Sequence, residues 1–350
     1  MNRTLRGLWR GAVLVTSMLG ASCTKSTPIA PTPTPVDPPV ISCPASQSLT
    51  SPLAVPIPVV YSSPSVAGGT SPIATTCTPV SGSTFPLGTT AVTCRATDAQ
   101  QRASTCNLTV SVTTPAKITL TRFVSFGDSI TAGQDGQNSL TSDIGGVLRF
   151  DQSIFLAGFE YPTVLAASLK ARYAPQAAAI VVSNAGLSAE SAGAAATLTR
   201  FTNAIAGFQV VLLMEGSNDL YTAASRGGTS ADADAGIAGL QSMVRRAKTA
   251  GVRPYLATVP PMNPNACTPI CRGFAAGLVP AFNDRIRTLA SAEGVTLVDV
   301  NKDFNGDFSL LSSDGLHPNA SGFERMADSF FQRIKATLEQ TSTALSAASR

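Results

Sequence analysis

The sequence predicts a small all-β module over residues 41–114, followed by a doubly wound α/β sandwich over 117–340. Three observations predict it. Between 41 and 113, short Val/Thr/Ile runs at 54–60, 89–95 and 106–112 alternate with Gly, Pro and Ser turn signals, the rhythm of half-buried strands. From 117 onward, five apolar runs at 118–126, 179–183, 208–214, 253–259 and 295–300 suit strands buried on both faces of a parallel sheet. Helical patterns at 161–173, 230–250, 273–292 and 320–338 are interleaved with them. Strand and helix in alternation give a parallel sheet between helical layers, with ligands bound beyond the carboxyl ends of the strands.

The segments before residue 41 are read as export and spacing. Arg3, Arg6 and Arg10 precede an apolar run at 11–19, then Gly20-Ala21-Ser22 and Cys23, so residues 1–22 have the layout of a signal peptide. Small residues before a cysteine are similar to the lipobox of bacterial lipoproteins, which makes Cys23 the candidate lipid-attachment residue; ordinary cleavage leaving a spare thiol is the alternative. Residues 23–40 are rich in Thr and Pro and favour an extended stalk of about 3.1 Å per residue. Residues 341–350 form a C-terminal tail. The chain is therefore expected to be exported, as an envelope lipoprotein or a secreted protein.

The formal charge of +4 falls to +1 once the three arginines of the first 22 residues are set aside. No basic face remains to suggest nucleic acid as a partner. Membrane contact is expected through the N-terminal lipid only. With Cys23 set aside, six cysteines remain: Cys43, Cys77, Cys94 and Cys106 in the β-module, and Cys267 and Cys271 in a later loop. An even number suits an oxidising compartment, where all six are disulfide candidates. The four clustered cysteines contain no Cys-x-x-Cys pair, and the one histidine lies far along the chain, so no metal is expected. No cofactor is expected either.

That histidine, His317, sits in Asp314-Gly315-Leu316-His317-Pro318. Imidazole is the side chain whose ordinary pKa suits proton transfer near neutrality. An acid three residues upstream can meet one ring nitrogen and leave the other free. Ser129, in Gly127-Asp128-Ser129, follows the first strand of the α/β part directly, where unpaired backbone N–H groups can face a developing oxyanion. An N-cap serine is the simpler reading of that string. Asn184-Ala185-Gly186 and Gly216-Ser217-Asn218-Asp219 follow the second and third strands and read alone as turns. The Gly-x-Ser-x-Gly elbow is absent, because Thr131 stands at its second glycine.

Taken together, Gly127-Asp128-Ser129, Gly186, Gly216-x-Asn218-Asp219 and Asp314-x-x-His317-Pro318 resemble the four blocks of the SGNH (GDSL-type) hydrolases, over roughly 120–340. The resemblance implies a flavodoxin-like three-layer sandwich around a five-stranded parallel sheet, and ester hydrolysis through an acyl-enzyme. It implies Ser129 as nucleophile, His317 as general base and then acid, Asp314 as its orienting partner, and an oxyanion hole made by the Ser129 and Gly186 N–H groups and the Asn218 side chain. Upstream, Cys43-Pro44, the 81–90 turn, Val92-Thr93-Cys94, Ala96-Thr97-Asp98 and 106–110 resemble the hyalin repeat (HYR), an extracellular immunoglobulin-like sandwich, although Gln101 stands where that family usually has Gly. Of the three pairings open to its four cysteines, Cys43 with Cys106 and Cys77 with Cys94 is adopted as a guess. The module is expected to act as a spacer, with a surface partner as the other possibility.

The substrate is expected to be a small-molecule or glycan-borne ester. The stretch 134–160 is read as a long loop walling the substrate pocket, and Cys267 with Cys271 as a staple of another rim loop. Two alternatives stand beside the esterase: a surface adhesion or glycan-binding protein whose hydrolase-like domain is inactive, and a carbohydrate deacetylase acting on acetylated polysaccharide.

Overall fold

The computed structural model describes residues 36–142, 148–266 and 271–340, omitting the side chains of 137–142 and 148–154. The signal-peptide segment, Cys23, Cys267 and the C-terminal tail lie outside the described residues.

The five apolar runs of the C-terminal part form one sheet in which every pairing is parallel. Its spatial order is Val181–Gly186, Arg122–Gly127, Val210–Met214, Arg253–Ala257, Thr296–Val298. Two adjacent inner strands are buried along most of their length: all five residues of Val210–Met214 and the last five of Arg122–Gly127, among which Ser125 is the one polar side chain. That is the pattern of strands covered on both faces. Helix Tyr161–Arg172 packs on Ala320–Leu338, where the Tyr161 and Phe330 rings stack at 5.0 Å. Helix Asp234–Thr249 packs on Ala195–Ala204 and on Val279–Glu293. The architecture is the expected three-layer flavodoxin-like sandwich, with strand order 2-1-3-4-5, which places the topological switch between Arg122–Gly127 and Val210–Met214.

Several elements differ in detail from the sequence reading. The 118–126 run divides into Arg122–Gly127 and a short Lys117–Ile118 pair that joins Glu339–Gln340, tying the start of the domain to its end. Helices Ala195–Ala204 and Ser217–Ser225 are additional. Stretch 134–160 is not an irregular loop. It holds an antiparallel pair, Gln134–Ser142 with Leu148–Phe155, that begins directly behind the Ser129 turn.

In the N-terminal module, strands Gln47–Thr50, Ala103–Thr113, Gly88–Thr97 and Ala74–Thr78 make a four-stranded sheet in that order. Two ribbons, Val40–Ser42 with Ser65–Ala67 and Ile57–Pro58 with Thr84–Phe85, supply Ile41 and Phe85 to the same core as Val92, Leu108, Val110 and Val112. Period-two burial along the two long strands puts Val92, Cys94 and Ala96 inside and their neighbours out. Cys43 is bonded to Cys106 and Cys77 to Cys94. The 54–60 run yields only the two-residue strand Ile57–Pro58. Prolines at 52, 56 and 58 remove ladder donors there, and the Ser51 hydroxyl makes the turn by accepting from the Val55 N–H and donating to its carbonyl.

Candidate active site

Ser129 opens a single helical turn, Ser129–Ala132, immediately after strand Arg122–Gly127. The cap is Asp128, not Ser129: the Asp128 carboxylate accepts from the Ile130 N–H at 2.9 Å. The serine hydroxyl is thereby left for other work. Its Oγ lies 2.9 Å from His317 Nε2, across 188 positions of sequence. His317 Nδ1 lies 2.6 Å from Asp314 Oδ2. Since a carboxylate accepts, Nδ1 carries the ring proton and Nε2 is the acceptor facing the serine hydroxyl.

Asp314 is fixed from several sides. Its Oδ1 accepts from the Leu316 and His317 N–H groups, both at 3.0 Å, and the Arg272 Nε lies 3.7 Å from its Oδ2. The Arg272 N–H also donates to the Asp314 carbonyl at 2.9 Å. Asp314 and His317 are each only 1% exposed, and Ser129 is 6% exposed. Burial pushes the Asp314 carboxyl up, yet the His317 hydrogen bond and charge, with the two backbone donors, hold it below the ordinary aspartate range. The acid therefore stays ionised where it can stabilise an imidazolium.

The donors around Ser129 fall differently from expectation. Gly186 ends strand Val181–Gly186, and its N–H is donated to the Asn184 side chain at 2.9 Å. A Cβ there would sit 2.2 Å from the Ala132 nitrogen, so this glycine serves close packing behind the Ser129 turn. Three residues on, Ala189 lines the cleft beside Ser129 with its backbone at φ +64°, and its N–H has no hydrogen bond among the described residues. Ala189, absent from the sequence reading, is the residue whose N–H is free at this position. Its left-handed backbone could not be read from an alanine codeword in a Leu-Ser-Ala-Glu string.

Asn218 does line the cleft. One of its amide hydrogens goes to the Glu190 carbonyl at 2.7 Å, which orients the side chain and leaves the second hydrogen for a ligand. Gly216 just before it sits at φ +123°, with the Phe282 ring 2.5 Å from where a Cβ would be, so only glycine can carry the chain through. Asp219 accepts from the Ala192 and Gly193 N–H groups at 2.8 and 3.0 Å, pinning the loop after the second strand to the helix after the third.

Ser129, Ala189 and Asn218 share a cleft of about 430 Å³ with Gln134, Ser188, Ser191, Tyr221, Thr222, Arg272 and Leu316. Gln134, the first residue of the antiparallel pair, accepts from the Ser188 hydroxyl at 3.1 Å. At the rim, Tyr221 and Phe274 are 37% and 40% exposed and meet edge to face at 4.7 Å. Cys271, next to Arg272, is disulfide-bonded.

Comparison with known proteins gives a family. Residues 125–325 match the GDSL-like lipase/acylhydrolase family, and residues 35–112 match the HYR domain. No curated protein matches the chain. Among solved structures, the chain is similar to Axe2, an acetylxylan esterase from Geobacillus stearothermophilus (21% identity over 62% of this chain and 96% of that one, TM-score 0.46). It is also similar to LAE5, an alpha/beta hydrolase enzyme from the metagenome of Lake Arreo (23%, 61% and 94%, TM-score 0.45). A third likeness is to a putative GDSL-like lipase from Parabacteroides merdae (21%, 62% and 98%, TM-score 0.46). Since the first match spans more than half of its length, the chain belongs to the GDSL-like lipase/acylhydrolase family of ester-bond hydrolases, with an HYR domain ahead of the enzyme.

Proposed function

We propose that the chain is an exported serine esterase that cleaves carboxylic esters through an acyl-enzyme, with Ser129, His317 and Asp314 as its triad. The observation that carries this reading is the single imidazole bridging Asp314 Oδ2 at 2.6 Å and Ser129 Oγ at 2.9 Å. Ser129 Oγ attacks the ester carbonyl carbon as its proton passes to His317 Nε2, and Asp314 stabilises the imidazolium. The carbonyl oxygen becomes an oxyanion facing the N–H groups of Ser129 and Ala189 and the Asn218 amide. In this reading Ala189 takes the role first expected of Gly186. Collapse breaks the bond to the leaving alcohol, which takes the proton from Nε2. Water then attacks the acyl-enzyme by the same route in reverse and frees the acid.

Hydrolysis of p-nitrophenyl acetate tests the reading. Ser129→Ala is expected to lower turnover by about 10⁴-fold or more; equal rates in the two proteins would end it. Asn218→Ala, which removes one oxyanion donor, is expected to lower kcat by about 10² to 10³ with a smaller change in KM.

The cleft favours a short acyl group on a hydroxyl-rich alcohol. Gln134, Ser188, Ser191, Thr222 and Arg272 offer hydrogen bonds along it, and the exposed Tyr221–Phe274 pair offers a face for a sugar ring. An acetylated glycan is the substrate this supports, and a panel of acyl lengths beside acetylated oligosaccharides tests it: a preference for long acyl chains would remove it. Export and lipidation of Cys23 are supported by the N-terminal pattern, and an HYR domain with two disulfides fits an extracellular protein. Mass spectrometry of the mature N-terminus, with Cys23→Ala as control, reads whether a lipid is present.

A further inference from the structure

Glu215 ends the run Val-Val-Leu-Leu-Met at the carboxyl edge of the third strand and immediately precedes the turn that carries Asn218. It is fully buried, and neither carboxyl oxygen has a hydrogen-bond donor among the described residues. A lone buried carboxylate is costly, and an isolated one is normally neutralised or paired. The group it does reach is another acid, Glu190. Two carboxylates have only acceptors to offer each other, which is why no bond forms between them as ions. With one proton between them, the contact becomes a strong O–H···O⁻ hydrogen bond.

Glu190 is well suited to be the acceptor. Its carboxylate is paired with Arg200, whose Nε donates to Oε1 at 2.8 Å and whose Nη2 donates to Oε2. Arg200 is itself fixed, donating to the Ala185 carbonyl at 2.7 Å and lying over the Phe126 ring. Glu190 is also the neighbour of Ala189, and its carbonyl takes the Asn218 amide hydrogen. The two acids therefore join the two segments that present the free N–H of Ala189 and the amide of Asn218 to the cleft.

We propose that Glu215 is a positioning residue that carries one proton and donates it to Glu190, clasping the Ala189 loop to the Asn218 turn and so holding the oxyanion donors in register. This rests on the esterase reading above for its catalytic meaning, not for the clasp itself. The charged and titratable groups facing Glu215 agree on the neutral form: Asp128 behind the nucleophile turn, Glu190 in the loop and Asp219 on the following helix all oppose a negative charge there, and Tyr161 from the second helix is near. Burial, followed by Asp128 and Glu190, pushes the Glu215 carboxyl well above the ordinary glutamate range. Arg200 is spent on Glu190. Removing the proton at high pH would set Glu215⁻ against Glu190⁻ with nothing between them, and the loop would let go.

The clasp is tested with Glu215→Gln and Glu215→Leu. A glutamine amide donates to Glu190 as the protonated acid does, but without titrating; leucine fills the space and donates nothing. Steady-state hydrolysis of p-nitrophenyl acetate is followed from pH 7 to 10, with the Ser129→Ala rate subtracted as background, and unfolding midpoints are taken in the same buffers. E215L is expected to lose at least tenfold in kcat at little-changed KM, E215Q to recover to within about threefold of the parent protein, and only the parent to show an alkaline fall in kcat. Amide hydrogen exchange over 187–193 should be at least tenfold faster in E215L than in E215Q or the parent. Equal losses in E215Q and E215L, or the same alkaline fall in E215Q as in the parent, would overturn the proposal. So would equal exchange in all three proteins, and that result stands even if Ser129→Ala shows no esterase defect. Should E215L fail to fold, the alkaline comparison of E215Q with the parent still decides.

Discussion

The β-module and the α/β domain bury apolar surface on different scales. In the module, ten buried apolar residues make the core, and two disulfides are attached to the strands that enclose it. Among the described residues, the α/β domain has one continuous cluster of 49 buried apolar residues, running from Ile118 to Leu338. Small domains bury a smaller fraction of their surface and have little to spare against chain entropy, so covalent ties matter there most. The large domain can instead carry features that cost stability at its catalytic edge: buried Asp128 and Glu215, and Ala189 in a left-handed backbone. A surplus of packing in one place supports strained chemistry in another.

The sharpest way to break the comparison is a cut in the large core away from the cleft. Phe330→Ala removes a buried ring stacked on Tyr161 and is expected to cost about 3 to 5 kcal/mol, lowering the unfolding midpoint of the hydrolase and its activity together while the β-module unfolds as before. Next in size, Cys43→Ser with Cys106→Ser is expected to cost the module about 2 to 4 kcal/mol. Limited proteolysis should then open the module, while p-nitrophenyl acetate hydrolysis continues at the parental rate. Loss of hydrolysis in that variant would mean that the two parts are not independently stabilised.

The smallest expected effect is one of sign with pH. In the module, burial opposes the charge of Asp98, yet Arg102 and the backbone donors of Thr70 and Arg102 outweigh it and hold the carboxyl down at about 2. Its folded pKa lies below its unfolded value, so its contribution is present above about pH 4 and is lost as pH falls toward 2. In the α/β domain, burial pushes Asp128 up to about 6 despite its bond from Ile130. There the folded state holds the proton more tightly, so this group's contribution declines as pH rises from about 4 to 6. Unfolding midpoints of the parent and Asp128→Asn across that window check the point: the variant should have the shallower decline. Parallel curves would mean that Asp128 does not hold its proton in the folded protein.

Much of this was legible in the sequence, for physical reasons that differ by element. Buried parallel strands such as Val210–Met214 announce themselves because both faces demand apolar side chains. Ser129, Asn218, Asp314 and His317 were legible because each chemistry-bearing side chain lies in a short string at a strand end or loop. Helix Ser217–Ser225 was read as a turn because Ser-Asn-Asp favours caps and turns when taken alone. Helix Ala195–Ala204 has Leu198, Phe201 and the following Ile205 at helical spacing, but the Ala and Thr residues between them mask the signal. Gly186 was named where Ala189 lies open because the first is a glycine by letter and the second is special only by its φ angle. Glu190, Glu215 and Arg272 carry no local pattern at all; they acquire meaning only when the sheet brings three loops to one edge.

The central claim, one serine activated by one imidazole, is tested most directly by covalent labelling with a fluorophosphonate probe, followed by intact-mass measurement and peptide mapping. A single adduct on Ser129 is predicted, absent in Ser129→Ala and formed at least a hundredfold more slowly in His317→Asn. An adduct on any other residue, or an undiminished labelling rate without the imidazole, would contradict the account.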